Sequence, residues 1–285
     1  MLNFRAIEIS DKQNVEACLK HSLDRSCDLS FLNLFSWQHV YGTQLCFEQG
    51  QLFVRYRRDN QVRYAFPAGD GDPFVNINKL IQFVGPDLTL YMSEPNKNSL
   101  LTLYPEQFDI LEERDSFDYV YERDSLATLQ GRKYNSKRNH ISRFCKKYPD
   151  YKVKDITQEN IQDVMKVFEQ WSAGHTGGND KEALQCALHY YHVLHCYGIL
   201  IYVHENPVAF TFGTNRNVDM FDTHFEKCTP EFVDCYSLIN RELAQRLSCR
   251  YINREDDIGL EGLRKAKLSY HPVFFIKKYL AVLKK

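Results

Sequence analysis

Two cations near the end of the chain occupy places where a helix would ordinarily keep leucine. They lie in "DIGLEGLRKAKLSYHP", residues 257–272. At about 100° per residue, Lys267 and Arg264 both fall within about 40° of Leu260, beside Leu263, whereas Lys265 falls on the outer side. A cation in a partly dry cleft acts more strongly on developing oxyanion or phosphate charge than one in water. The other reading is snorkelling, with packed stems and hydrated heads. The spacing therefore makes Lys267 and Arg264 candidates to reach a cleft that receives something anionic.

A second group lies in "VDMFDTHFEK", residues 218–227. Its alternation predicts a strand with Phe221 and Phe225 on one face and Asp222, His224 and Glu226 on the other. Three ionisable groups on a central strand are costly to bury without partners. They read either as a solvated face or as the floor of a cleft that holds an amine and accepts its proton. In the next helix, Asn240 falls between Leu243 and Ile239, and a buried amide has a specific hydrogen-bond partner. A third group is the basic stretch "RKYNSKRNHISRFCKK", residues 132–147, with no acid. Helical stepping puts Arg132, Arg143, Lys146 and Lys147 on the outer face. It puts Arg138 and Lys137 beside the apolar stripe of Tyr134, Ile141 and Cys145. Such a helix is either a solvated face or a landing site for RNA phosphates or anionic lipid.

Helical spacing marks roughly 11–20, 29–40, 73–83, 133–147, 157–171, 181–196, 235–247 and 259–269. Strand-like runs lie near 44–48, 51–57, 61–66, 87–91, 108–111, 117–121, 151–154, 198–204, 207–214, 218–226, 249–252 and 273–279. The order repeats. Helices, the hairpin "LCFEQGQLFVRY", a strand, a helix and "LTLYM" are followed by helices, "ILIYVHENPVAFTFG", "VDMFDTHFE", a helix and "CRYI". The pattern predicts an α/β (α+β) fold of two related units, 1–123 and 132–285, each a mixed sheet flanked by helices, with the active cleft in the second.

The composition narrows the function. The chain has 285 residues, 44% of them hydrophobic, so it can bury a substantial core. Its 36 basic and 37 acidic residues nearly cancel, so no global field points to nucleic acid and no DNA partner is expected. Nine cysteines without a C-x-x-C fit reduced thiols and a cytoplasmic protein. The first twenty residues mix charges unlike a signal peptide, and no run is long enough to span a membrane. The chain lacks a P-loop and a G-x-S-x-G elbow. "HYYHVLHC" does not hold His189, His192 and His195 on one face, so no metal is expected. "PAGDGDP" is electrostatically wrong for phosphate and reads as a turn and helix cap.

Together, "KYNSKRNHISRFCKKYPDY", "FDTHFEK" and "YINREDDIGLEGLRKAKLSYHP" resemble the catalytic C-terminal domain of phosphatidylglycerol lysyltransferases, across about residues 25–285. The closing Gly262-Leu263…Lys267…Tyr270 is also similar to the ending of peptidoglycan-bridge aminoacyltransferases. The resemblance implies tandem units of the GCN5-related N-acetyltransferase fold. It also implies direct transfer of an activated acyl group to an amine or hydroxyl, with no covalent enzyme intermediate. Lys267 then corresponds to the lysine that steadies the donor's negative charge, assisted by Arg264. The Q/R-x-x-G-x-G/A signature for acetyl-CoA should fall at "EKCTPEFVDCYS", which has no glycine. That favours aminoacyl-tRNA as donor, its phosphates along the basic helix. The expected function is aminoacyl transfer from tRNA to a small-molecule, peptide or lipid acceptor, without a resident cofactor. The lysyltransferases' membrane-spanning half has no counterpart here, so lipid is not singled out. The alternatives are an acyl-CoA-dependent N-acetyltransferase and a non-catalytic binding module. The residues assigned are Lys267, Asp222, His224 and Glu226 for catalysis and Arg264, Arg138, Lys137 and Asn240 for donor binding.

Overall fold

The computed structural model describes residues 2–20, 22–173 and 180–285. The chain forms two units, Met1–Asp118 with Asp256–Leu260 and Phe275–Lys285, and Tyr119–Glu255 with Glu261–Phe274. Among the described residues, no helix is long and apolar enough to cross a membrane.

The first unit contains helices α1 (Lys12–Lys20), α2 (Phe31–Ser36), α3 (Gln38–Tyr41), α4 (Pro73–Val84) and α5 (Glu94–Leu103). Its strands are β1 (Gln44–Glu48), β2 (Gln51–Arg58), β3 (Gln61–Ala65), β4 (Thr89–Ser93) and β5 (Phe108–Glu112). The β1–β2 turn is the two-residue Gln49-Gly50, both at positive φ, which matches the twist of the flanking strands. Pro73 starts α4 and Asp72 caps it, accepting from Phe74 N at 2.8 Å. The glycine-rich turn before it wraps a side chain: a Cβ at Gly69 or Gly71 would lie 2.6 Å from the Gln51 amide. The core gathers Phe53, Ile77, Leu80, Leu90, Met92 and Leu100. Helix α5 was not legible from the sequence, because its polar "EPNKNS" start shows little periodicity.

The second unit contains β6 (Asp118–Glu122), α6 (Arg123–Thr128), α7 (Asn135–Lys147), β7 (Lys152–Asp155), α8 (Ile161–Ser172) and α9 (Asp180–His189). It continues with β8 (Tyr197–Val203), β9 (Asn206–Asn215), β10 (Met220–Cys228), α10 (Cys235–Arg246), β11 (Tyr251–Asn253), α11 (Glu261–Leu268) and β12 (Phe274–Ile276). Helix α9 stops at His189, so His192 and His195 lie beyond it. The stacked rings of Phe212 and Phe225, 5.0 Å apart, lie on one face of the sheet.

The element repeat is real at the level of topology. In each unit a hairpin leads to an antiparallel strand, a helix, and then a strand in parallel: β3 beside β4, β10 beside β11. The sheet orders are β1-β2-β3-β4-β13-β5 and β12-β6-β11-β10-β9-β8-β7, where β13 is Lys278–Leu283. The expected consecutive units are thus interleaved. Residues 118–122 pair in the second sheet, and residues 278–283 pair in the first. The single strand expected over 273–279 is two strands, β12 and β13, in different sheets.

Candidate functional site

The site is built where two strands part. β10 and β11 pair only through Met220 with Tyr251, Phe221 with Ile252 and Asp222 with Asn253. β10 then continues without β11 beside it. Arg254, the first residue after β11, reaches across the opening and donates Nη2–H to Glu226 Oε1 at 2.5 Å. Asn240, from α10, turns its amide oxygen to the same guanidinium and accepts from Nε at 3.0 Å and Nη1 at 3.3 Å. Burial opposes the charge on Arg254, but Glu226 outweighs it and holds the guanidinium ionised.

One ring organises two cations. The Lys137 ammonium lies 3.8 Å and the Arg254 guanidinium 4.9 Å from the centroid of Tyr270. The Tyr270 hydroxyl reaches Ser237 Oγ at 3.3 Å, and Tyr134 donates to the Tyr270 carbonyl at 3.1 Å. Burial pushes the Lys137 ammonium down to about 8, the nearby Arg254 charge adds to this, and Glu226 opposes it. About a tenth of this amine is therefore neutral at pH 7, and about half at pH 8, with a carboxylate and a fixed cation beside it.

The expected common face of Asp222, His224 and Glu226 does not exist. β10 carries a bulge between Thr223 and Phe225. Asp222 pairs with Thr214 but Glu226 pairs with Thr211, and residues three apart on β9 point to opposite faces. Glu226 faces α10. His224 is on the other side, fully buried, held by Thr214 Oγ1 at 2.9 Å and Glu255 Oε1 at 2.8 Å. Asp222 is also buried. Gly213 permits this kink: a Cβ there would lie 1.8 Å from the Asp222 carbonyl oxygen. Gly213→Ala should therefore destabilise the protein by about 3 kcal/mol, since that clash is with backbone. Urea unfolding of the variant would measure it, and an unchanged midpoint would contradict the role given to the bulge.

Lys267 is buried, as the helical stepping suggested, but among different neighbours. Leu260 is 55% and Leu263 37% exposed, and Lys267 is the buried residue of α11. Its ammonium donates to the Arg254 carbonyl at 2.5 Å and lies 5.8 Å from the Tyr119 ring, while Tyr121 donates to the Lys267 carbonyl at 2.8 Å. It thus braces the chain at the residue that spans the opening. Arg264 is half-buried on the same helix. Arg138 spends its guanidinium on the carbonyls of Leu129 and Gly131, the latter at 2.8 Å, and on Asn135, closing the end of α6.

Of the residues read from sequence, the structure brings Lys137, Asn240 and Glu226 together, with Lys267 behind them. Arg254 and Tyr270 were missed as partners. Tyr270 follows Lys267 by three residues, in the turn just past the end of α11, and its place in the closing motif was the signal present in the sequence. Arg254 sits among acids in "NREDD", which reads as solvated surface.

In the first unit, Cys27, Asp28 and Asp118 bring ligand-type atoms within 4.8 Å of one another. The Lys278 ammonium lies among them, 2.6 Å from Asp118 and in contact with Asp28. Both carboxylates hold it charged against full burial.

Residues 20–282 match the family described as phosphatidylglycerol lysyltransferase, C-terminal. The crystal structure of a conserved protein of unknown function from Bacteroides thetaiotaomicron VPI-5482 is 38% identical, with a TM-score of 0.93 and full coverage of both chains. The structure of L-PGS from Bacillus licheniformis is 14% identical, with a TM-score of 0.68 over 96% of this chain and 92% of that one, a likeness of fold. An uncharacterised protein of Mycoplasmoides gallisepticum is 27% identical over 180 residues, 58% of this chain. The match spans only 56% of that relative's length. Two mixed sheets that each contain a parallel pair, β3 with β4 and β10 with β11, and a match over nearly the whole sequence lead to one assignment: the chain belongs to the phosphatidylglycerol lysyltransferase C-terminal family.

Proposed function

We propose that this protein moves an amino acid from aminoacyl-tRNA to an amine or hydroxyl acceptor by direct attack at the opening between β10 and β11. The observation that carries this reading is the half-buried Lys137 amine beside the Glu226–Arg254 pair. The neutral amine takes the proton from the attacking group as its bond to the aminoacyl carbonyl forms. The tRNA 3′ oxygen leaves with the electron pair of the broken ester bond. Arg254, itself held by Asn240, fixes Glu226 next to that amine. Lys267 fixes Arg254, and Arg264 and Lys267 supply the positive charge on this side. His224 and Asp222 support the strand from the opposite face.

The acyl-CoA alternative has less support from the β10–α10 connection. It carries Pro230 and Glu231, and Asp234 is bound by Arg143 at 2.7 Å and His140 at 2.5 Å. Carboxylates at that helix start disfavour a pyrophosphate.

The test is transfer of labelled amino acid from charged tRNA to amine, hydroxyl and anionic-lipid acceptors, with acetyl-CoA assayed in parallel. Transfer from acetyl-CoA alone, or from neither donor, would defeat the proposal. Exposed Lys146 and Lys147 on α7 give a second expectation. Binding of charged tRNA weakens with salt, and replacing both lysines with alanine lowers the log–log slope by about two. Filter binding from 50 to 200 mM salt checks this.

A further inference from the structure

The second unit holds a cavity of about 450 Å³ that the transfer chemistry does not use. It lies at the tip of the β8–β9 hairpin, beside α8 and the segment before α10. Tyr148, His204 and Phe232 line it, with Glu231, Gln170 and Asn206. The Tyr148 ring is 5.0 Å from Phe232 and 6.4 Å from His204. The volume suits a small planar group rather than a chain segment. The lining mixes ring faces with amide and carboxylate groups, which suits a heteroaromatic edge better than a lipid tail. Two other carboxylates at the cavity are already matched by lysines, Asp163 with Lys166 at 2.7 Å and Glu205 with Lys152.

The hairpin turn adds an independent sign. His204 and Glu205 occupy its two central positions at φ 49° and 63°. Asn-Gly is the natural choice there, and a non-glycine residue at positive φ costs on the order of 1 kcal/mol. The sequence accepts that strain and thereby sets an exposed imidazole against Tyr148. Lys146 and Lys147, both exposed, end the helix that leads to Tyr148. Lys137 lies ten residues back on that helix, about 15 Å away at 1.5 Å per residue. A strand of four or five nucleotides at about 3.4 Å spacing covers that distance.

We infer that this cavity receives an unpaired nucleobase of a single-stranded RNA, held against the rings of Tyr148, His204 and Phe232, which stand edge-on or tilted to one another, with its backbone along Lys146 and Lys147. The inference rests on the aminoacyl-tRNA reading for the origin of the strand, but it is tested separately. The probe is a fluorescein-labelled 12-nucleotide single-stranded RNA, compared with a duplex of equal length by anisotropy. The single strand should bind at least tenfold tighter. His204→Ala and Phe232→Ala should each weaken it about tenfold, the usual scale for loss of one stacking surface, and leave the salt slope unchanged. A strand carrying 4-thiouridine should photocrosslink to Tyr148, His204 or Phe232. His204 is exposed, so its variant stays informative if Phe232→Ala misfolds. Equal binding of duplex and single strand, no effect of His204→Ala, or crosslinks only elsewhere would overturn the inference. If it falls while charged tRNA still donates its amino acid, the transferase reading stands. If the strand binds as described and no transfer occurs, the transferase reading falls instead.

Discussion

Lys137→Met is expected to slow amino-acid transfer by about 10²- to 10⁴-fold, the usual contribution of a positioned proton acceptor. The same substitution should stabilise the fold. Both effects come from one geometry: an amine set on the Tyr270 ring, partly dry, with Arg254 beside it. The loss should appear in kcat rather than KM, because methionine keeps the stem and removes only the titrating group. In the wild type, kcat should rise through about pH 8 as the amine loses its proton. The variant should lack that rise. The sign of the stability effect follows from proton linkage. The folded-state value near 8 lies below the ordinary 10.5, so between those limits the unfolded chain binds more protons. Stability then rises with pH across that window, and the penalty of a charged Lys137 is fully present below 8. Lys137→Met should therefore gain about 1 kcal/mol at pH 7, after discounting for screening at a half-buried position, and nothing above about pH 10.5. Urea unfolding at pH 7 and pH 10.5, with rates across pH 6–9, checks both. A variant that is active and less stable at pH 7 would refute the assignment.

The largest loss of stability is expected from Lys278→Met, at about 3–5 kcal/mol. Lys278 is fully buried on β13, between Asp118 and Asp28, and Cys27 donates its backbone N–H to Asp118 at 2.9 Å. Removing the ammonium leaves a fully buried carboxylate without its counter-charge. Burial already raises Asp118 above the ordinary carboxylate range, with Lys278 opposing that rise and Asp28 adding to it. Adding Asp118→Asn to Lys278→Met should recover part of the loss, because the orphaned charge goes with it. Denaturant midpoints of the two single variants and the double variant form the cycle. Purely additive losses would mean that the pair is not coupled.

These two lysines show what the sequence could reveal. Lys137 was legible because helical stepping fixes its angle relative to Tyr134 and Ile141, both buried. Asn240 was legible for the same reason. Lys278 was not, because its partners lie about 160 and 250 residues away and no local period reports them. The bulge in β10 was hidden by the unbroken alternation of "FDTHFE", so Asp222 and Glu226 were placed on one face instead of two. Leu260 and Leu263 misled differently. Apolar residues make up much of any folded surface, and a leucine stripe does not say which side of a short helix is covered. The hairpins, the crossover helices and their repetition were legible, since turn and periodicity signals are local. The ownership of β6 and β13 was not, since strand pairing across the chain is a tertiary choice.

The placement of β13 between β4 and β5 has a consequence for biosynthesis. The flanking strands are translated by residue 112, yet the one that joins them is residues 278–283. At roughly 5–20 residues per second, the ribosome needs on the order of ten to thirty seconds to bridge that interval. Throughout it, β4 and β5 offer unpaired edges in a nascent chain that cannot finish its first sheet. Vectorial folding, one unit after the other, is closed to this protein. Its first-made half must be shielded from pairing with neighbouring chains until residues 278–283 have been made.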